Sequence, residues 1–158
     1  MEAIGLYTNK EMILTGIKAR NAEDIMRRLC DRAMQMKCIE PVFITALLER
    51  EKEYPTGLPT GVPIAIPHIH DGCLRSFFSM AVLDTSVVFG CMGDPDETVE
   101  TRLVFLFGIT DPSYQTAVLR KFSNIFQDDG IMNELLEIDK PEAMIQKMKE
   151  LLEEYLII

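Results

Sequence analysis

Two short apolar runs constrain the fold of this chain more than any other feature: Val62 to Ile66, and Leu103 to Ile109. Each is too short for a helix and is bounded by turn-forming or polar residues, so each reads as a strand buried on both faces. Such strands need helices above and below their sheet, and the flanking sequence supplies candidates. Asn21 can cap a helix with Glu23 and Asp24 in its first turn, where acidic groups suit the helix dipole. Ile25, Leu29, Ala33 and Met36 then recur at helical spacing, predicting a helix to about Lys37. Pro41 is placed for the first turn of a second helix, with Phe43, Ala46 and Leu47 on one face, ending near Glu53.

The rest of the chain alternates in the same way. Met12 to Leu14 reads as a strand stopped by Thr15-Gly16. Pro55 to Gly61 is punctuated by proline and glycine and is expected to be irregular throughout. Phe77 to Leu83 and Val87 to Phe89 read as two strands parted by the polar Asp84-Thr85-Ser86, with a loop from Met92 to Thr98. Helices are expected from Tyr114 to Gln127, from Ile131 to Leu136, and from Pro141 to about Tyr155. Intermixed helices and strands with no linker or repeat predict one domain over residues 1–158. The expected fold is an α/β sandwich, a mostly buried sheet covered by helices, whose strand order does not follow from the sequence.

Charge and composition remove several function classes. Twenty-five acidic against sixteen basic residues give a net charge of -9, a poor match for a nucleic-acid backbone but compatible with a partner presenting basic groups. The longest uninterrupted apolar stretch, Leu103 to Phe107, is far short of the roughly 20 residues that span a bilayer. The first residues, with acidic Glu2, show no basic-then-apolar leader pattern. Cys30, Cys38, Cys73 and Cys91 form no CxxC pair and are read as free thiols of a reducing cytoplasm.

The residues able to carry chemistry are few. His68 and His70 are the only histidines, both in Ile64-Ala65-Ile66-Pro67-His68-Ile69-His70-Asp71. There a buried strand delivers His68 to a proline-fixed exit, and an imidazole with an ordinary pKa near 6.5 is largely neutral and nucleophilic at pH 7. The competing reading is a histidine merely satisfied at a strand end. A metal site on His68, His70 and Asp71 is disfavoured, because catalytic zinc usually takes three protein ligands and no further histidine exists. No Gly-x-Ser-x-Gly elbow and no phosphate-binding loop for ATP occur. Arg50, at the end of the second helix, offers a fork suited to phosphate oxygens, against the alternative of a solvated charge in a charge-rich run.

Taken together, Ala46-Leu47-Leu48-Glu49-Arg50-Glu51, Tyr54-Pro55-Thr56-Gly57-Leu58, Gly61 and Ile64-Ala65-Ile66-Pro67-His68 resemble a known family. It is the fructose/mannitol-type IIA family (EIIA type 2) of the bacterial sugar phosphotransferase system. The likeness runs from Ile13 to the helix after Asp111, with Gly93-Asp94-Pro95 and Leu103 to Ile109 in the expected order. The resemblance implies a cytoplasmic, phosphotransferase/anion-transporter-like α/β sandwich around a central mixed sheet flanked by helices, with no cofactor and no metal. It implies a phosphocarrier that takes a phosphoryl group from HPr on His68 and passes it to a IIB component, serving the membrane component IIC indirectly. By the same resemblance Arg50 lies near the phosphohistidine. Thr56, within the matching motif, is a possible modulator of the site; so are His70 and Asp71, outside that motif, since alternate spacing aims His70 to the side of His68 if the chain stays extended.

One position departs from the family pattern. Many members carry a second histidine where this chain has Gln115, which donates a neutral hydrogen bond but no charge. That feature resembles the galactitol-specific branch and points to uptake of a galactitol-like sugar or polyol. It is also compatible with a regulatory IIA-like protein whose phosphorylation state controls binding to another protein. Ile69 and the Phe77-Phe78 pair are candidates for a docking rim, against the alternative that both phenylalanines are core.

Overall fold

The computed structural model describes residues 5–157, so Glu2 and the outermost ends of the 1–158 unit lie outside it. In chain order its strands are β1 (Leu6–Tyr7), β2 (Ile13–Ile17), β3 (Gly57–Leu58), β4 (Ile64–Ala65), β5 (His68–Ile69), β6 (Phe77–Cys91), β7 (Asp94–Gly108) and β8 (Leu156–Ile157). The helices are α1 (Ala22–Gln35), α2 (Pro41–Glu53), α3 (Gln115–Phe126), α4 (Asp129–Glu137) and α5 (Pro141–Leu152). The Asn21 side chain caps α1 by accepting from the Asp24 N–H, and Pro41 opens α2, as the sequence predicts.

A long antiparallel hairpin, β6 against β7, forms the centre of a mixed sheet. β2 runs parallel to β6 on its outer side, and β1 joins β6 to β8. On the other side β4 and β5 run parallel to β7, with Ile64 opposite Leu103 and His68 opposite Phe107. Successive side chains of a strand point to opposite faces. Phe78, Met80 and Val82 therefore pack with Leu103, Phe105 and Phe107 under α3, α4 and α5. Phe77, Ala81 and Leu83 pack with Val104 and Leu106 under α1 and α2. Helices cover both faces, which is why the inner halves of β6 and β7 are almost wholly apolar, the buried Ser79 of β6 donating its hydroxyl to the Met12 carbonyl.

Five expectations need correction. β2 does not stop at Thr15-Gly16 but runs on to Ile17. Asp84-Thr85-Ser86 does not separate two strands, because β6 continues through it. The pairing with β7 shifts register between Val82 and Val87, so the polar triplet bulges into solvent instead of turning. The expected loop from Met92 to Thr98 is mostly strand, since the hairpin turns tightly at Met92-Gly93, where Gly93 has φ +78°. The Pro55–Gly61 stretch is not wholly irregular either. Gly57 pairs with Ala65 and Cys91, and a Cβ there would lie 2.6 Å from the Gly90 carbonyl oxygen, so the strand depends on glycine. Finally, Phe77 and Phe78 are both fully buried on opposite faces and form no docking rim.

Candidate functional site

The break between β4 and β5 creates the local geometry of His68. Pro67 has no N–H, and its carbonyl accepts from the Phe107 N–H at 3.1 Å, stitching the segment to β7. His68 then pairs with Phe107 and is only 8% exposed. Its Nδ1 lies 2.8 Å from the Ile66 carbonyl oxygen. A carbonyl can only accept, so Nδ1 carries the proton and the lone pair of the neutral ring resides on Nε2. Burial depresses the His68 pKa below 6.5; the hydrogen bond to Ile66 opposes this, and the positive charge of Arg50 adds to it. At neutral pH the imidazole is uncharged.

Arg50 is exposed on the outer face of α2, and its guanidinium lies 5.3 Å over the Tyr54 ring. A cleft of about 280 Å³ opens here, lined by Arg50, Glu53, Tyr54, Ile69, His70 and Asp71 among others. His70 Nε2 is 3.2 Å from the Asp71 carboxylate, and both side chains are more than half exposed. The chain turns directly after β5, with the Cys73 N–H donating to the His70 carbonyl, so His70 leaves the extended line of His68. Among the described residues no group of three His, Cys, Asp or Glu side chains is placed to hold a metal ion.

Arg50, Ile69 and His70 therefore meet at one cleft beside His68. Thr56 lies behind them, buried, with its side chain turned to Glu51. Gln115 is the half-buried first residue of α3, a few positions after β7 ends, and makes no hydrogen bond to His68 or Arg50 among the described residues. Ile69 is the one member of the proposed rim at the cleft.

Sequence reasoning passed over two residues here. Tyr54, 58% exposed, is the platform under Arg50; its signal was the i,i+4 spacing from Arg50 across the end of α2. Glu51 is buried, and its Oε1 accepts from the Thr56 N–H at 2.8 Å. The Thr56 hydroxyl lies 2.9 Å from both Glu51 oxygens, sharing its proton between them. Burial pushes the Glu51 carboxyl above its ordinary value, against the two Thr56 hydrogen bonds and Arg50. Its signal was register: Phe43, Leu47 and Glu51 fall on one face of α2, so an acid occupies an apolar position.

Comparison with known proteins follows the same architecture. Over 149 residues the chain is 27% identical to the mannitol-specific EIICBA component of the PTS system of Pasteurella multocida, an overlap covering 91% of this chain and 23% of that protein. The chain thus spans less than a quarter of that relative's length. Its fold is similar to that of Escherichia coli enzyme IIAMTL, solved in complex with phosphorylated enzyme IIBMTL, at TM-score 0.72 and 25% identity over 93% of this chain and 98% of that one. It is also similar to nitrogen regulatory protein IIA-Ntr from Neisseria meningitidis, at TM-score 0.74 and 19% identity over 90% and 96% of the two chains. Residues 6–151, nearly the whole chain, match the family described as phosphoenolpyruvate-dependent sugar phosphotransferase system, EIIA 2, and the protein belongs to that family.

Proposed function

We propose that this protein is a cytoplasmic phosphocarrier in which His68 Nε2 accepts a phosphoryl group from phospho-HPr and delivers it to a IIB component. The observation that carries the reading is the 2.8 Å contact between His68 Nδ1 and the Ile66 carbonyl, in a buried ring beside Arg50. It leaves one nucleophilic nitrogen. The Nε2 lone pair attacks phosphorus, the P–N bond to the donor histidine breaks, and its electron pair returns to the donor ring. Because Nδ1 keeps its proton, the phosphorylated His68 ring is a cation that the Ile66 carbonyl stabilises. A protonated ring is also a good leaving group when a IIB cysteine sulfur attacks in turn. Phosphoryl transfer asks the protein mainly for positioning and charge stabilisation, and Arg50 is the charge at hand.

Gln115 flanks the ring from α3 in this reading and contributes a neutral contact to a phosphoryl oxygen. The substrate class, a galactitol-like sugar or polyol, rests on Gln115 alone. The regulatory alternative shares the acceptor step and differs in having no IIB acceptor.

The test is incubation with phosphoenolpyruvate, enzyme I and HPr. An acid-labile mass gain of one phosphoryl group is expected, absent from His68→Ala. A gain that persists in His68→Ala overturns the assignment. Onward transfer to IIB proteins, scanned across polyol-specific types, separates the carrier from the regulator and identifies the sugar class.

A further inference from the structure

The buried acid of α2 has no direct contact with the cleft, yet hydrogen bonds connect it to the acceptor ring. The Thr56 N–H and hydroxyl donate to Glu51 at 2.8 and 2.9 Å. The Thr56 carbonyl in turn accepts from the Ile66 N–H at 3.2 Å. The Ile66 carbonyl then holds His68 Nδ1–H at 2.8 Å. We propose that Glu51 is a positioning residue for phosphoryl transfer, setting the tautomer and orientation of His68 through Thr56 and Ile66. The proposal deepens the phosphocarrier reading and rests on it for the rate consequence, though not for the ring geometry.

The chemistry of the position argues for this role. Glu51 occupies the face of α2 shared with Phe43 and Leu47, where an apolar side chain would pack without the desolvation that a carboxylate suffers. What the carboxylate supplies is a pair of acceptors for Thr56, whose N–H and hydroxyl are otherwise buried without a partner. Thr56 precedes a two-residue strand and follows Pro55, so few ladder bonds hold it in place. Meanwhile Pro67 interrupts the ladder between β4 and β5 and leaves the Ile66 carbonyl to the imidazole. The ring's orientation therefore depends on where Thr56 holds Ile66. The same helix carries Arg50 on its outer face, so α2 sets both the guanidinium and, through Glu51, the imidazole.

The experiment reads the ring and the reaction separately. Nitrogen-15 shifts of the His68 imidazole report which nitrogen is protonated, and single-turnover phosphorylation from saturating phospho-HPr reports the rate. The wild type is expected to show the Nδ1–H tautomer. Glu51→Gln, whose amide can still accept from the Thr56 N–H and donate to its hydroxyl, should keep that tautomer and a rate within about twofold. Glu51→Leu keeps an apolar packing group but no acceptor. It should give a mixed tautomer population and a rate reduced by up to about a hundredfold, the scale of a nucleophile misplaced by an ångström. Thr56→Val removes only the hydroxyl and should move both readouts the same way by less, with Thr56→Ser restoring them. It carries the test if Glu51→Leu does not fold. Wild-type tautomer in a folded Glu51→Leu, or in Thr56→Val where Glu51→Leu is unfolded, overturns the proposal whatever the rate. Phosphorylation that never occurs on His68 overturns the phosphocarrier reading and leaves the tautomer result standing.

Discussion

The guanidinium of Arg50 lies 5.3 Å over the ring of Tyr54, a stacking that holds a long, exposed side chain at the mouth of the cleft beside His68. Freed of that platform, an arginine at a helix end would sample many rotamers, and its charge would be spread over solvent. Stacked, it acts as a fixed positive group that adds to the depression of the His68 pKa by burial.

Arg50→Ala is expected to slow phosphorylation from phospho-HPr by roughly tenfold, the scale of one hydrogen bond to a charged group. The fold should be unaffected, because Arg50 is exposed. Tyr54→Ala should reproduce part of the loss through disorder of the arginine. Quench-flow with circular dichroism on each variant checks both, and an unchanged rate in Arg50→Ala would mean that the arginine is only a solvated charge.

The His68 titration has a definite sign. Its folded pKa lies below 6.5, with burial the largest cause, so between the two values the unfolded chain binds the extra proton. The stability contributed by the neutral ring is present above pH 6.5 and is lost as pH falls from there toward the folded pKa. Phosphoryl acceptance should follow the same folded midpoint, staying active at slightly acid pH. Arg50→Ala should shift that midpoint upward, as measured by the imidazole proton shifts against pH.

His70 and Gln115 should matter less than Arg50. His70→Gln is expected to leave phosphorylation intact with at most a changed rate, since His70 is exposed and pairs with Asp71. Stoichiometric zinc binding at micromolar affinity, abolished in His70→Gln, would favour a metal site instead. Gln115→Ala should cost about 1 kcal/mol of transfer barrier, the scale of one neutral hydrogen bond, and Gln115→His should remain competent. Rates of the three variants side by side decide this.

Phe122 is the keystone of the core under α3. Its ring meets Phe78, Phe105, Phe107 and Phe126 with centroids 4.4 to 6.2 Å apart. Phe122→Ala should destabilise the protein by about 3–5 kcal/mol. Urea unfolding monitored by circular dichroism measures it. The affected strand β7 carries Phe107, the partner of His68, so phosphorylation should weaken along with stability.

Much of this molecule was legible in the chain itself. The caps at Asn21 and Pro41, the helical spacing of Ile25, Leu29 and Ala33, and the apolar run at Leu103 are local signals, and local signals determine where elements start and which face is apolar. The motif ending in Pro67-His68 likewise pointed to one histidine. What the sequence left open was decided by partners distant along the chain. Asp84 to Ser86 reads as a polar break between two strands, but β7 pairs on either side of it and makes it a bulge in one. Phe77 and Phe78 are core because helices on both faces cover adjacent residues of a central strand. Glu51 faces Thr56, and the His68 proton sits on Nδ1, because the Pro55–Pro67 segment folds back between α2 and β7. Periodicity reports the faces of one element. The hydrogen bonds that give a side chain its chemistry depend on which other elements meet it, and only tertiary structure brings those together.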